Sequence, residues 1–324
     1  MLTLFKARSV ITMNDSLPRA SAVLVRDGVV LEVGEEATMA PWLRGQDYVV
    51  DDQFADKIIC PGFIDPHLHP SMAAVLLPME FITAMRWKLP WGEVEPVTTE
   101  AAFDQRMATL VAEKDPQQPL FIWGYHQLWH GAMSKTRIES IAGRRPTVVW
   151  HRSFHELYMN SAAMEMVGVV AEDIKPGMQI SVERGHFYEG GLGYAINRLN
   201  PWILAPDKYA AGLQRLKQVV HHGGHTSIGD LATGMFNFSA EAEALSQYLE
   251  GDDVPFRSRL VAHGTVLTKG GVPPTQGPEL AEALLQRNSH RLHFGRHIKL
   301  FSDGAFFSQL AQLQQPGYID GHSG

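Results

Sequence analysis

From Leu2 to Asp52 apolar and polar residues alternate with period 2, which predicts short strands joined by turns. Ala22-Val23-Leu24-Val25 and Val29-Val30-Leu31-Glu32-Val33-Gly34 flank Arg26-Asp27-Gly28, a hairpin signal in which the turn needs positive φ. Tyr48-Val49-Val50 adds a strand before Asp51-Asp52. So few short strands do not close a core alone, and the segment is expected to pack on something else, a plain β-meander on the main domain being one arrangement.

The pattern changes after Pro70. Thr98 or Thr99 can cap a helix running to about Lys114, with Phe103, Met107, Leu110 and Val111 at helical spacing. Leu120-Phe121-Ile122-Trp123 and Thr147-Val148-Val149-Trp150 read as two buried strands. Each leads into a polar, aromatic stretch, Tyr125-His126-Gln127 and His151-Arg152-Ser153-Phe154-His155. Asn160-Ser161 opens another helix, and Glu189 is the one carboxylate in the glycine-flanked loop from Gly185 to Gly191. From Ala205 onward a βα rhythm takes over. A helix from Pro206 to His222 stops at Gly223-Gly224, and Thr226 to Leu231 is a strand. Ser239 caps a helix through Glu250, Arg257 to His263 is a strand, and Pro278 to Arg287 is a helix. His297 to Phe301 is the last strand, ending in Ser302-Asp303-Gly304. Strands alternating with helices predict parallel units and an α/β fold.

The chemistry concentrates in Cys60-Pro61-Gly62-Phe63-Ile64-Asp65-Pro66-His67-Leu68-His69. Ile58, Ile59, Phe63 and Ile64 read as a short buried strand broken by Pro-Gly. On an extended chain His67 and His69 share one face, with Leu68 opposite. Two neighbouring imidazoles are half of a metal site for zinc, iron or nickel, and Asp65 on the same face could orient one of them. The alternative is a His-x-His on a surface loop. Lys299 is the second anchor: if Ile298 and Leu300 pack under helices, Lys299 points inward. There a charged amine is costly unless paired, the alternative being a lysine reaching out to solvent. His221, His222 and His225 sit where a helix dipole favours them, and His263 ends a strand facing the expected site.

Composition narrows the class. The 324 residues are 45% hydrophobic and 19% charged, ordinary for a globular chain of one large and one small domain. A net charge of −7 without a Lys/Arg cluster argues against nucleic acid as a partner. The most apolar stretch, Ser71 to Trp91, is interrupted by Pro78, Glu80, Arg86, Lys88 and Pro90, which argues against a membrane span. One cysteine, Cys60, excludes an internal disulfide framework and suits a reducing compartment, so a cytoplasmic location is expected. Homo-oligomer formation is compatible with all of this.

The decapeptide resembles the first-strand signature of the amidohydrolase superfamily, Pro-Gly-Phe-Ile-Asp-x-His-x-His. Four weaker features in order resemble its YtcJ-like branch: Ile122-Trp123-Gly124, Arg145-Pro146-Thr147, His155 with Asn160-Ser161, and Glu189. Lys299-Leu300-Phe301-Ser302-Asp303-Gly304 is similar to that branch's Lys-x-Phe-x-Asp-Gly motif. The resemblance implies a (β/α)8 TIM barrel whose first strand precedes His67, with those at 226, 257 and 297 as its second, third and fourth. Residues 1–57 would begin a small β-sandwich, residues 58–324 would form the first part of the barrel, and about 75–205 would be an inserted subdomain over its mouth. It implies His67, His69 and Lys299 as ligands of one or two divalent metals, most often zinc, with Lys299 N-carboxylated and bridging. Lys299 and Asp303 would be catalytic, and Tyr125, His155, Asn160, Glu189 and His263 would face an amide-type small-molecule substrate. Only about half of such a barrel is expected within these residues. Two further histidines, an aspartate that shuttles the proton and the rest of the sandwich are expected outside them, so this portion alone should be inactive. Three functions follow from the resemblance: hydrolysis of C–N bonds, a regulatory protein retaining the fold, and an isomerase or lyase using the same site.

Overall fold

The computed structural model describes residues 1–264, 273–300, 302–303, 306, 311–319 and 321–323. Phe301 and Gly304, in the expected end of the last strand, lie outside the described residues. The chain divides into two compact units, Met1–Phe63 and Ile64–Gly324.

The first unit holds strands β1 (Leu2–Ile11), β2 (Arg19–Arg26), β3 (Val29–Gly34) and β4 (Tyr48–Ile59), with the short helix α1 (Ala40–Leu43) before β4. They form one sheet in the order β3-β2-β1-β4, with β1 antiparallel to β2 and parallel to β4. Asp27 (φ 50°) and Gly28 (φ 81°) make the β2–β3 turn, both left-handed as a tight hairpin requires. Leu2, Leu4, Ala22, Leu24 and Met39 form one small core, and Ala7, Val10, Ala20 and Val23 another. Among the described residues this unit is a single layer, so the second layer of a sandwich is not seen in it.

The second unit opens with β5 (Phe63–Leu68) and α2 (Pro70–Leu76). A six-stranded sheet follows, in the order β12-β13-β11-β10-β9-β6: β6 is Glu80–Phe81, β9 Leu120–Tyr125, β10 Thr147–His151, β11 Glu156–Met159, β12 Ile180–Ser181 and β13 His186–Tyr188. A small hairpin, β7 (Trp87–Leu89) with β8 (Gly92–Val94), stands apart from it. Helix α3 (Glu100–Glu113) is capped by Thr99, whose hydroxyl accepts from the Ala102 amide, and it buries Phe103, Met107 and Leu110 as its spacing predicts. Helices α4 (Gln127–His130), α5 (Lys135–Ala142), α6 (Ser161–Met166) and α7 (Gly190–Ile203) complete this region.

The βα part carries α8 (Pro206–His222), β14 (His225–Thr233), α9 (Phe238–Leu249), β15 (Arg257–His263), α10 (Gly277–Leu284) and β16 (Leu292–Lys299). Its sheet has the order β16-β15-β14-β5, in which β14, β15 and β16 follow one another in the chain and β5 joins from before the six-stranded sheet, and the β14–β15 and β15–β16 pairs are parallel. Helix α8 presents Tyr209, Leu213, Leu216 and Val220 as one buried stripe. These residues share a core with Trp123, Trp150 and Phe187 of the six-stranded sheet and with Ile228, Leu245 and Leu260.

Three expectations are corrected. Helix α9 is capped by Asn237, not Ser239, because the Asn237 side chain accepts from Ala240 N while Glu241 reaches back to the Asn237 amide. Strand β16 starts at Leu292 rather than His297, since Leu292 and Phe294 alternate into the core. The run before His67 is not buried: Ile58, Phe63 and Ile64 are 50%, 58% and 71% exposed. β5 is an edge of its sheet among the described residues, and burial there would need a neighbour on its open side.

Two close approaches fix where β5 ends. A Cβ on Gly229 of β14 would lie 2.6 Å from the Pro66 carbonyl oxygen, so only glycine lets the two backbones come so near. Beyond His69, the Tyr209 hydroxyl bonds Ser71 Oγ at 2.7 Å and ties α8 to the first turn of α2. Gly229→Ala is expected to lower unfolding free energy by about 1–3 kcal/mol, read from urea midpoints. An unchanged midpoint would contradict this packing.

Candidate metal and substrate site

His67 and His69 lie side by side, with ring centroids 5.1 Å apart and planes at 87°. The i, i+2 spacing on β5 places them so, and Pro70 then starts α2 and turns the chain away. The Asp65 carboxylate accepts a 3.0 Å bond from the His67 backbone amide, so it shapes the backbone at the strand end instead of orienting an imidazole. Desolvation, then His69 and the Lys299 ammonium, hold His67 below the ordinary imidazole pKa, against the pull of Asp65 and Asp230.

Asp230, near the end of β14, was not singled out by sequence, yet it is 1% exposed and lies against this pair. Its Oδ1 accepts from Ala232 N at 3.1 Å, its Oδ2 accepts from Thr233 Oγ1 at 2.7 Å, and Oδ1 is 3.7 Å from His69 Nδ1. That nitrogen of His69 is buried without a hydrogen-bond partner among the described residues. The only signal of Asp230 in the sequence was a carboxylate near the polar end of a predicted strand. His263 and Lys299 are register partners at the ends of β15 and β16. Four adjacent strands thus bring His67, His69, Asp230, His263 and Lys299 to one end of a sheet. Lys299 is half-buried and near enough to act on His67, although Leu300, expected to pack under a helix, is 77% exposed. Asp303 accepts a 2.7 Å bond from Gln312 N.

Among the described residues no group of three or more His, Cys, Asp or Glu side chains is placed to hold a metal ion. The donors that are present nevertheless suit one. Two imidazoles stand together, and a buried Nδ1 facing a carboxylate leaves Nε2 of His69 as the nitrogen available to a cation.

The four residues expected over the mouth divide into two pairs. His155 Nδ1 and Glu189 Oε1 meet at 2.9 Å, both half-exposed, and the Glu189 amide donates to the His155 carbonyl at 3.0 Å. Phe154 (φ 63°) and Glu189 (φ 44°) are non-glycine residues held in left-handed backbone, the kind of local strain that gathers at ligand-contacting loops. Asn160 and Tyr125 are instead committed to the interior. The Asn160 amide accepts from Thr147 N and Ala163 N and donates to Gly143 O and Arg145 O, which uses its full hydrogen-bonding capacity. The Tyr125 hydroxyl donates to Gly131 O at 2.7 Å, and burial pushes its pKa up to about 12.

Beside them lies a polar network that the sequence showed only as scattered histidines. Glu156 Oε2 is 2.5 Å from His186 Nε2 and accepts from Tyr158 OH at 3.2 Å, and His186 stacks on Tyr158. Burial pushes Glu156 up, but its bonded histidine and tyrosine leave it below the ordinary carboxylate value. His151 bonds Ser153 Oγ at 2.7 Å and Gln127 Oε1 at 2.9 Å. The antiparallel pairing of Tyr158 with His186 builds this network, and no local motif announces it.

No family model matches the chain. It is 24% identical over 320 residues to the protein LONG AFTER FAR-RED 3 of Arabidopsis thaliana, covering 96% of this chain and 52% of the relative. It is 25% identical over 331 residues to the exoenzymes regulatory protein AepA of Pectobacterium carotovorum, covering 97% and 66%. To the putative amidohydrolase YtcJ of Bacillus subtilis it is 21% identical over 328 residues, covering 94% and 54%. The chain therefore spans about half to two thirds of the length of these curated relatives. Among solved structures, uncharacterized metal-dependent hydrolases from Pyrococcus horikoshii and Pyrococcus furiosus share its fold. Their TM-scores are 0.67 and 0.65 at 19% and 20% identity, and the match covers 98% of this chain with 58% and 59% of theirs. These likenesses support the amidohydrolase-superfamily resemblance carried by the Pro61–His69 segment. No helix among the described residues is long and apolar enough to cross a membrane.

The His151 ring yields a pH prediction. Burial holds its pKa at about 4, so the unfolded chain takes up a proton first as pH falls. The stability it contributes is present above about pH 6.5 and is lost between there and about 4, on the order of 3 kcal/mol. Unfolding free energy measured across that window should fall less steeply in His151→Gln than in the parent protein. Equal slopes would contradict the assignment.

Proposed function

We propose that the protein is a metal-dependent hydrolase of amide-type C–N bonds in a small molecule. The observation that carries this reading is the pair of imidazoles at 5.1 Å, beside a buried aspartate and within electrostatic reach of Lys299, at one end of a sheet. The strand order β5-β14-β15-β16, which preserves the order of these strands along the chain, supports the opening of a (β/α)8 barrel, where strand ends carry the chemistry. Similarity to YtcJ and to two metal-dependent hydrolases supports the reaction class.

In this reading His67 and His69 hold a divalent cation, zinc by the preference of imidazole donors, and Lys299 joins them as a carbamate. When bound, the cation supplies Lewis acidity, polarising a carbonyl and acidifying water. The chain's own residues do the rest. Asp230 steadies His69, His263 lines the same strand ends, and the His155–Glu189 pair orients the substrate through its half-exposed edge. Asp303 serves as a further carboxylate near the end of β16. Asn160 and Tyr125 support the site from within, by fixing the strands and turns that carry His151 and His155. A single exposed cysteine, Cys60, fits a cytoplasmic setting.

A second reading is favoured by one of the relatives, which is named a regulatory protein of exoenzymes. There the fold persists as a binding module. Metal analysis of the full-length protein, combined with its turnover of N-acyl and N-formyl compounds, separates the two readings. For the hydrolase, at least about one equivalent of metal and a loss of about 100-fold or more in His67→Ala and Lys299→Ala are expected. Full turnover in His67→Ala would overturn the hydrolase reading. Less than about one equivalent, with no activity on added zinc, would favour the regulator.

A further inference from the structure

Asp230 stands out among the groups that the resemblance does not assign. Carboxylates are almost never fully buried unless paired, yet this one is 1% exposed. An ionised carboxylate has about four acceptor positions, and two of them are taken by Ala232 N and Thr233 Oγ1. Across from it, His69 Nδ1 is buried with no hydrogen-bond partner among the described residues, a state that costs a polar nitrogen its hydration. The two face each other at 3.7 Å, within ion-pair reach and slightly long for a hydrogen bond.

The position of Asp230 is well determined. Its carboxylate is gripped by the turn that follows it. That turn is in turn held by the buried Glu241, whose oxygens accept from the amides of Gly234, Phe236 and Asn237. On the other side, Gly229 admits the Pro66 carbonyl, so the strand bearing His69 is drawn against the strand bearing Asp230. Each partner is set by its own scaffold, and the remaining gap between them is small.

We propose that Asp230 is a positioning residue that accepts a hydrogen bond from Nδ1–H of His69 and so fixes the ring as the tautomer whose Nε2 lone pair faces a divalent cation. This inference rests on the metal-binding reading above. Acceptance at Nδ1 raises the basicity of Nε2 and removes the ring-flipped alternative, in which the wrong nitrogen would be presented. The contact is a hydrogen bond, and no proton is transferred in it.

The test uses 15N-histidine spectra of the metal-free protein at about pH 8, where imidazoles are neutral, followed by zinc titration of the same samples. His69→Ala identifies the resonance by its disappearance. The expected parent signal is the Nδ1–H tautomer. In Asp230→Ala the ring should revert to Nε2–H, and zinc should bind about 10–100-fold more weakly. Asp230→Asn, which keeps an acceptor oxygen and the turn, should retain the tautomer and lose less affinity. An Nε2–H tautomer in the parent protein overturns the proposal whether or not Asp230→Ala folds. An Asp230→Ala protein with the parent tautomer and parent zinc affinity overturns it as well. Should the tautomer respond to Asp230→Ala while the parent protein takes up no zinc, the Asp230–His69 pair stands and it is the metal-binding reading that fails.

Discussion

The arrangement depends on the approach of one strand backbone to another. Where Gly229 lies against Pro66, side-chain volume is excluded and the two strands close until their terminal residues meet. His67 and His69 come from the end of the first strand and Asp230 from the second, and Lys299, on the fourth, acts on His67 electrostatically. A methyl group at residue 229 would be small in volume but badly placed, because packed backbone has little room to yield. The fold thus brings residues distant in sequence together at strand ends, on elements stiffened by a shared core.

Rigid support recurs around the site in different chemical forms. Ser71 and Tyr209 bond through hydroxyls, Glu241 gathers backbone amides, and Asn160 spends its whole amide on two strand connections. Each of these buried polar groups is satisfied by a neighbour on a packed element, so each restricts its loop. The His155–Glu189 pair differs: it is half-exposed and carried on strained backbone, the form expected of residues that meet a ligand and not of residues that hold the core.

Much of this was legible in the chain because its determinants are local. The helix caps at Thr99 and Asn160, the Asp27-Gly28 turn, the βα rhythm after Ala205 and the shared face of His67 and His69 each follow from a few neighbouring residues. What escaped is relational. Phe63 and Ile64 look like core residues by type, but burial requires a neighbour on the open side of β5. Ser239 is an acceptable cap, and Asn237 is preferred because Glu241 reaches back to the same turn. Asp230 carries no motif of its own, and it acquires meaning only when β14 lies beside β5. The Glu156–His186 network likewise arises from antiparallel pairing that no spacing rule reveals.

The central claim is that the imidazoles of His67 and His69 share one cation. X-ray absorption spectra of the zinc-loaded protein address it directly, since imidazole ligands give nitrogen at about 2.0–2.1 Å with outer-shell scattering from the ring. The account predicts at least two imidazoles in the parent spectrum and their loss when both histidines are replaced by alanine. A spectrum unchanged by that double replacement would contradict it.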